Sequence, residues 1–267
     1  MAPPSFKSSV SITHIGTATA ILSIDGINIL TDPFFGREGA TWGHGANTLH
    51  DAEKPALSLA SLPPIDAVLL SHEDHPDNLD EVGRQLLDAR TVLTTRAGAK
   101  NLAPRPGVQG LAAWEAVTLN LGGKAFKVTA TPCTHVPGGE VVGFVLESAS
   151  FGTSPEGLPN ALWFSGDTVY IEELKELRTK WHVVAAILNL GCAHAVLEDG
   201  TSLQITMGGK EGAKLVREIG ADLLVPMHYE SWGHFTQFGK DLVRVFEEEG
   251  VADRVCWLEY GKPKNVF

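Results

Sequence analysis

The stretch LLSHEDHPDNLD, residues 69–80, places two histidines and four acids within nine residues, directly after an apolar run. Ile65 to Leu70 reads as a short buried strand closed by Ser71. From Asn78 through Leu86, apolar residues at Leu79, Val82, Leu86 and Leu87 fall at helical spacing and predict a helix. The polar cluster therefore sits where a strand ends and a helix begins, the usual address of a site in α/β proteins. It also has a plain reading. Asp77 or Asn78 caps the helix, with Asp80 and Glu81 favouring its dipole.

Outward from this stretch the chain keeps mixing strands and helices. Residues 10–35, VSITHIGTATAILSIDGINILTDPFF, read as two or three strands with a turn at Asp25-Gly26. Residues 91–95 predict a strand and 96–103 a short helix; 116–135 predict a hairpin turning at Gly122-Gly123, and 141–148 and the start of 160–168 further strands. Ile171, Leu174 and Leu177 mark a helix over 170–180, before a strand at 183–190. A helix over 208–220, a strand over 222–228 and an amphipathic helix over 238–251 complete the pattern. Such alternation predicts an αβ layered sandwich with mixed sheets. No linker or repeat interrupts it, so one domain over 1–267 is expected.

The 267 residues carry a net charge of −11 and show no basic patch, which argues against nucleic acid as a partner. No apolar run is long enough to span a bilayer, and the N-terminal MAPPSFKSSVSITHIG lacks the apolar core of a signal peptide. Cys133, Cys192 and Cys256 are widely spaced and imply neither a disulfide framework nor a metal knuckle. A cytoplasmic location and a small-molecule substrate are the expectations, with no membrane partner; the oligomeric state is not legible.

Candidate ligands recur at one structural address, the end of a strand: Asp32, the 72–77 cluster, His135, Asp167 and His228. Neutral imidazole and carboxylate are the donors that Zn²⁺ and other first-row ions take. His72, His75, Asp77, His135, Asp167 and His228 together suffice for two ions, roughly 3.5–4 Å apart in known two-metal centres. Taken singly, each has a duller role: a cap, a hydrogen-bonded structural histidine or, for Asp167, an Asx-turn. The joint pattern is what capping does not explain.

In this order of motifs the chain resembles the metallo-β-lactamase superfamily, from THIGTATAIL to VPMHYESWGHF, and most closely its phosphorylated-ascorbate lactonase-like branch. The resemblance implies a four-layer αββα sandwich with one or two Zn²⁺ ions at an edge of the sheets. It also implies that His135 binds the first ion, Asp167 bridges, His228 binds the second, and Asp32 orients a ligand from behind. The family's loop reads His-x-His-x-Asp-His. Here, aligning His75 and Asp77 with the second His and the Asp puts Glu73 where the first His belongs, one residue after His72. Either a local bulge returns His72 to the ion or Glu73 substitutes. Asn78 stands in place of the last His, which weakens the second metal position.

The implied chemistry is hydrolysis by a metal-bound hydroxide, opening a lactone or lactam. Asp77 would bind metal and orient the nucleophile, with Tyr229 or His234 as proton donor. Trp42, Trp163 or Trp232 would line an apolar pocket, or pack in the core instead. Residues 36–47 would cover the pocket; His44 and His50 read as incidental, and Cys192 and His194 receive no role. Three readings compete: a phosphodiesterase, a mononuclear iron oxygenase on the same fold, and a binding protein without catalysis.

Overall fold

The computed structural model describes residues 5–37, 39–43, 48–50 and 53–267. In chain order the strands are β1 (Val10–Gly16), β2 (Thr19–Ile24), β3 (Ile27–Thr31), β4 (Thr41–Trp42), β5 (Leu49–His50), β6 (Ala67–Leu69), β7 (Thr91–Thr95), β8 (Val108–Leu111), β9 (Ala116–Leu121), β10 (Lys124–Pro132), β11 (Val142–Ser148), β12 (Asn160–Phe164), β13 (His182–Asn189), β14 (His194–Val196), β15 (Ser202–Gln204), β16 (Leu223–Met227) and β17 (Lys264–Asn265). The α-helices are α1 (Arg96–Asn101), α2 (Leu177–Lys180), α3 (Gly209–Ile219) and α4 (Gly239–Glu248). None of the described helices is long and apolar enough to cross a membrane.

Alternation along the strands decides the layering. In β2, Ala20, Leu22 and Ile24 face one way and Ile21 the other; in β12, Leu162 and Phe164 oppose Ala161 and Trp163. The first set from each sheet meets in a shared core, with Ile29 and Leu69 of one sheet against Val128, Phe144 and Val225 of the other. The opposite faces are covered outside. Ile21, Leu30, Val68 and Val92 pack against Leu79, Leu86, Leu87 and Leu102. Trp163, Ala186, Leu188 and Leu224 pack against Leu215 and Val216 of α3 and Leu242 and Phe246 of α4. The result is the αββα sandwich. Each large apolar side chain buried this way contributes about 1.5–3 kcal/mol.

Among the described residues one sheet runs β17-β1-β2-β3-β6-β7-β8 and the other β16-β13-β12-β11-β10-β9. Both are mixed. Hairpins build the antiparallel parts, β1-β2-β3 and β9-β10-β11-β12. The Asp25-Gly26 turn has both residues at positive φ, 50° and 86°, as a two-residue hairpin requires. The parallel parts, β3-β6-β7-β8 and β12-β13-β16, carry their C-terminal ends to one edge of the sandwich. Asp32, Ser71-His72, Asp167 and His228 lie just beyond such ends, and Asn189 closes β13.

Two expected helices are shorter than their spacing predicts. The helix read over Asn78–Leu86 is a turn followed by a 3-10 helix at Gly83–Leu87. Gly83 lies against the chain at Pro33, where a Cβ would come within 1.7 Å of the Pro33 carbonyl, and residues 72–78 are committed to the site. The N-cap of this 3-10 helix is Val82 rather than Asp77 or Asn78, and the nearby Asp80 Oδ1 accepts from the Gly83 N–H at 2.7 Å and the Phe35 N–H at 3.1 Å. Residues 170–180 form a 3-10 turn at Glu172–Glu176 running into α2. Of the expected 36–47 cover, residues 38 and 44–47, His44 included, lie outside the described residues; Trp42 packs edge-on against Phe34 and Trp232.

Candidate metal centre

Two ligand clusters assemble at the shared edge. His72, His75 and His135 form one; Asp77, Asp167 and His228 form the other, each with its donor atoms within 4.8 Å of one another. The structure thus brings together all six residues of the expected set.

In the histidine cluster the tautomers are fixed from behind. His135 Nδ1 lies 2.6 Å from the Ile205 carbonyl, which only accepts, so Nδ1 carries the proton and Nε2 a lone pair. Ser71 Oγ donates to Asp32 Oδ2 at 2.8 Å and therefore accepts from His72 Nδ1 at 2.8 Å, leaving a lone pair on His72 Nε2. Both lone pairs point at His75 Nδ1, at 3.0 and 3.1 Å. One ring proton cannot satisfy two acceptors at once. A cation at the convergence of the three nitrogens does, and this donor geometry fits a divalent ion. Burial, and then the neighbouring His75 charge, lower the pKa of His72 well below its ordinary value; burial also lowers that of His135, so both stay neutral.

The question of register within the loop is settled here. His72, not Glu73, enters the cluster. Glu73 is buried but turns away from the cluster towards α1, accepting from Asn101 Nδ2 at 2.6 Å with Arg84 at 3.6 Å. The extra residue of this loop is absorbed by Glu73 and Asp74.

The carboxylate cluster is fully buried. His228 lies between the two acids, Nε2 3.6 Å from Asp77 Oδ2 and Nδ1 3.4 Å from Asp167 Oδ1. Burial alone would raise both carboxyl pKa values, but the His228 charge beside them holds both below the ordinary range. Burial would likewise lower the pKa of His228, and the two carboxylates raise it instead. Asp167 Oδ1 accepts from Asn189 Nδ2 at 2.7 Å, so Asp167 is held by a strand-end amide rather than spent on an Asx-turn. Its Oδ2 and both His228 nitrogens are buried without a hydrogen-bond partner among the described residues, which leaves Oδ2 and one imidazole nitrogen available to an ion. Asp167 also acts electrically on His72 and His135, so it stands between the two clusters.

Asp32 lies behind both. It accepts from the Ser71 N–H at 2.6 Å, the Ser71 hydroxyl, and Asn78 Nδ2 at 3.0 Å. Burial, and then the nearby Asp167 charge, push its pKa up to about 7. Asp32 and His228 sit at positive φ, 27° and 57°, a strain of about 1–3 kcal/mol each that concentrates at this edge.

The clusters open into a cavity of about 280 Å³, walled by Leu49, Val136, Ala193, Ala195 and Ile205. His234 lines it, with Nδ1 buried and unpartnered among the described residues and its pKa lowered by burial. Tyr229, expected as an alternative proton donor, does not line it. Its ring packs edge-on to Trp257 at 6.0 Å on the outer face of the second sheet, and burial pushes its pKa up to about 12. The tryptophans expected to line the pocket sit deeper. Trp163 is in the core beneath the helices, donating to Thr131 Oγ1, and Trp42 and Trp232 form the aromatic layer behind the apolar wall. Ser71 and Asn189 escaped the reading of the sequence, although both follow or close a strand like the ligands they hold.

A family model described as the beta-lactamase superfamily domain matches residues 27–229. A UPF0173 metal-dependent hydrolase of Methanopyrus kandleri is 28% identical over 265 residues, covering 94% of this chain and 97% of that one. Among solved structures, an isothiocyanate hydrolase from Delia radicum gut bacteria superposes with a TM-score of 0.76 at 20% identity, covering 95% of this chain and 98% of that one. A possible metal-dependent hydrolase from Veillonella parvula gives a TM-score of 0.77 at 19% identity, covering 97% and 100%. Since the family match takes in every candidate ligand and most of both sheets, this chain belongs to the metallo-β-lactamase superfamily.

Proposed function

We propose that the chain is a metal-dependent hydrolase of small uncharged substrates, opening a cyclic ester or amide such as a lactone or lactam. The observation that carries this reading is that both ligand clusters face one compact cavity whose lining contains no Lys or Arg. Residues 1–4, 38, 44–47 and 51–52, outside the described set, contain none either. A phosphorylated lactone, which keeps a charge away from its reacting atom, would meet apolar walls and no cation from the chain. This favours a neutral substrate over the phosphorylated ring and over a phosphodiester.

A divalent ion in these clusters, with zinc the first to test, would supply Lewis acidity and lower the pKa of a bound water towards about 7. The rest is done by side chains. Asp77 and Asp167 would hold the ion at the cavity floor, where negative charge develops on the oxygen of the attacked carbonyl. His234, neutral because it is buried, is the cavity-lining imidazole that would take the proton of the attacking water and return it to the leaving oxygen or nitrogen. The apolar wall excludes competing water and orients the ring by shape.

The test is turnover by zinc-loaded protein of a neutral lactone, the matching lactam and the same lactone bearing a phosphate, beside an Asp167→Ala variant. Turnover of a neutral ring that vanishes in the variant is expected. Turnover of only the phosphorylated ring, or activity indifferent to Asp167, would overturn the reading.

A further inference from the structure

His194 lines the cavity but belongs to neither ligand cluster. It opens β14, in a stretch of wall otherwise built from Ala193, Ala195 and Ile205. Nδ1 lies 2.9 Å from the Cys192 carbonyl, which only accepts, so in the neutral ring Nδ1 carries the proton. Nε2 is left with a lone pair and no hydrogen-bond partner among the described residues. An acceptor in an apolar wall is costly to cover with anything that does not donate to it.

The support beneath the ring is pinned at several points. Cys192 is held at φ 50°, in the left-handed region that a side chain rarely adopts. Its N–H donates to the Met207 carbonyl at 3.1 Å, and its carbonyl accepts from Thr236 Oγ1 at 2.7 Å as well as from His194. The next N–H, that of Ala193, donates to Thr206 Oγ1 at 2.8 Å. The ring is therefore aimed before a ligand arrives, which lowers the cost of using it. The wall's two threonines are already engaged: Thr206 donates to the Leu190 carbonyl at 3.1 Å, and Thr48 has a partner of its own.

We propose that His194 is a specificity-determining residue: its Nε2 accepts a hydrogen bond from the substrate, so the preferred ring carries a hydroxyl or N–H group outside the bond that is cut. This rests on the hydrolase reading and narrows its substrates from neutral rings in general to neutral rings with such a donor. A ring without the donor displaces solvent from Nε2 and supplies nothing in return. The loss falls on affinity rather than on the chemical step.

Zinc-loaded protein given a hydroxylated five-membered lactone, and the same ring with hydrogen in place of the hydroxyl, tests it. The wild type should favour the hydroxylated ring by roughly tenfold in kcat/KM, carried by KM. His194→Leu should bring that ratio to unity or below with metal content unchanged, and His194→Gln, whose amide oxygen accepts, should restore part of it. The corresponding pair of cyclic ketones, which cannot be hydrolysed, is titrated by ligand-observed NMR and reads the same preference without turnover. Selective binding of the hydroxylated ketone with no turnover of either lactone would sink the hydrolase reading and leave the donor-binding role of His194 standing. Equal treatment of both members of each pair, or a preference that survives in His194→Leu, would overturn the proposal.

Discussion

The histidine cluster and the carboxylate cluster solve the same problem, aiming donors at an ion, by opposite means. In the first, neutral rings are oriented by hydrogen bonds from outside: the Ile205 carbonyl fixes His135, and the Asp32–Ser71 pair fixes His72. In the second, charges hold one another. Asp77 and Asp167 flank His228, and Asn189 donates to Asp167 from outside. The first half is sensitive to geometry and the second to charge. Asp167 couples them, since its field reaches the rings of both.

The most disruptive way to break this comparison is at the coupling residue. Asp167→Ala should cost catalysis about 10³-fold or more, because the several kcal/mol of charge stabilisation tied to a lost ion goes with it; steady-state turnover on a neutral lactone reads this directly. Next, His234→Gln should lower kcat by about 10²-fold with metal content unchanged, whereas Tyr229→Phe should stay within about twofold, since its ring packs against Trp257 outside the cavity. A similar loss from both variants would mean that the proton route does not run through the cavity.

Ser71→Ala sharpens the contrast between the halves. It removes the link from Asp32 to His72 and should weaken the ion in the histidine cluster by about 10–100-fold, leaving the carboxylate cluster's ion in place. Competition with a graded chelator measures this. Equal weakening of both ions would show that the two supports are not independent.

The smallest expected effect is on pH dependence without metal. His14, His72, His135 and His234 have folded pKa values below the ordinary 6.5, so near pH 6 the unfolded chain binds more protons than the folded one at these four sites. Stability from these groups is complete above about pH 6.5 and is lost as pH falls towards their folded values. Asp32 and His228, whose folded pKa values are raised, work the other way, as do Glu53 and Asp80 from ordinary carboxylate values below pH 5, so over pH 5–7 the four imidazoles set the sign. Metal-free protein should therefore melt at a lower temperature at pH 5 than at pH 7, and a flat profile would contradict the neutral state assigned to the imidazoles.

How much of this was legible beforehand depends on whether local pattern or long-range packing decided it. Period-two apolar runs, the Asp25-Gly26 turn and the Gly122-Gly123 turn carry the strand layout in neighbouring residues, and the sandwich follows. The six candidate ligands share a signal too, polar residues just past apolar strands. Long-range contacts were not visible. Leu79, Leu86 and Leu87 have helical spacing and do bury against the first sheet, yet Gly83 against Pro33 keeps the segment from forming a regular helix. The choice of His72 over Glu73 depends on Ser71 meeting Asp32 from another strand and on Asn101 drawing Glu73 towards α1. Tyr229 follows His228 in sequence, but adjacent residues past a strand end point to opposite sides, and it faces the helices.

The central claim is that these six side chains hold two ions side by side. Metal content by plasma mass spectrometry, on protein purified without chelator and reconstituted with zinc, tests it most directly, with Asp167→Ala alongside. The account predicts close to two ions per chain, falling sharply in the variant. A wild-type protein that takes up none would contradict it.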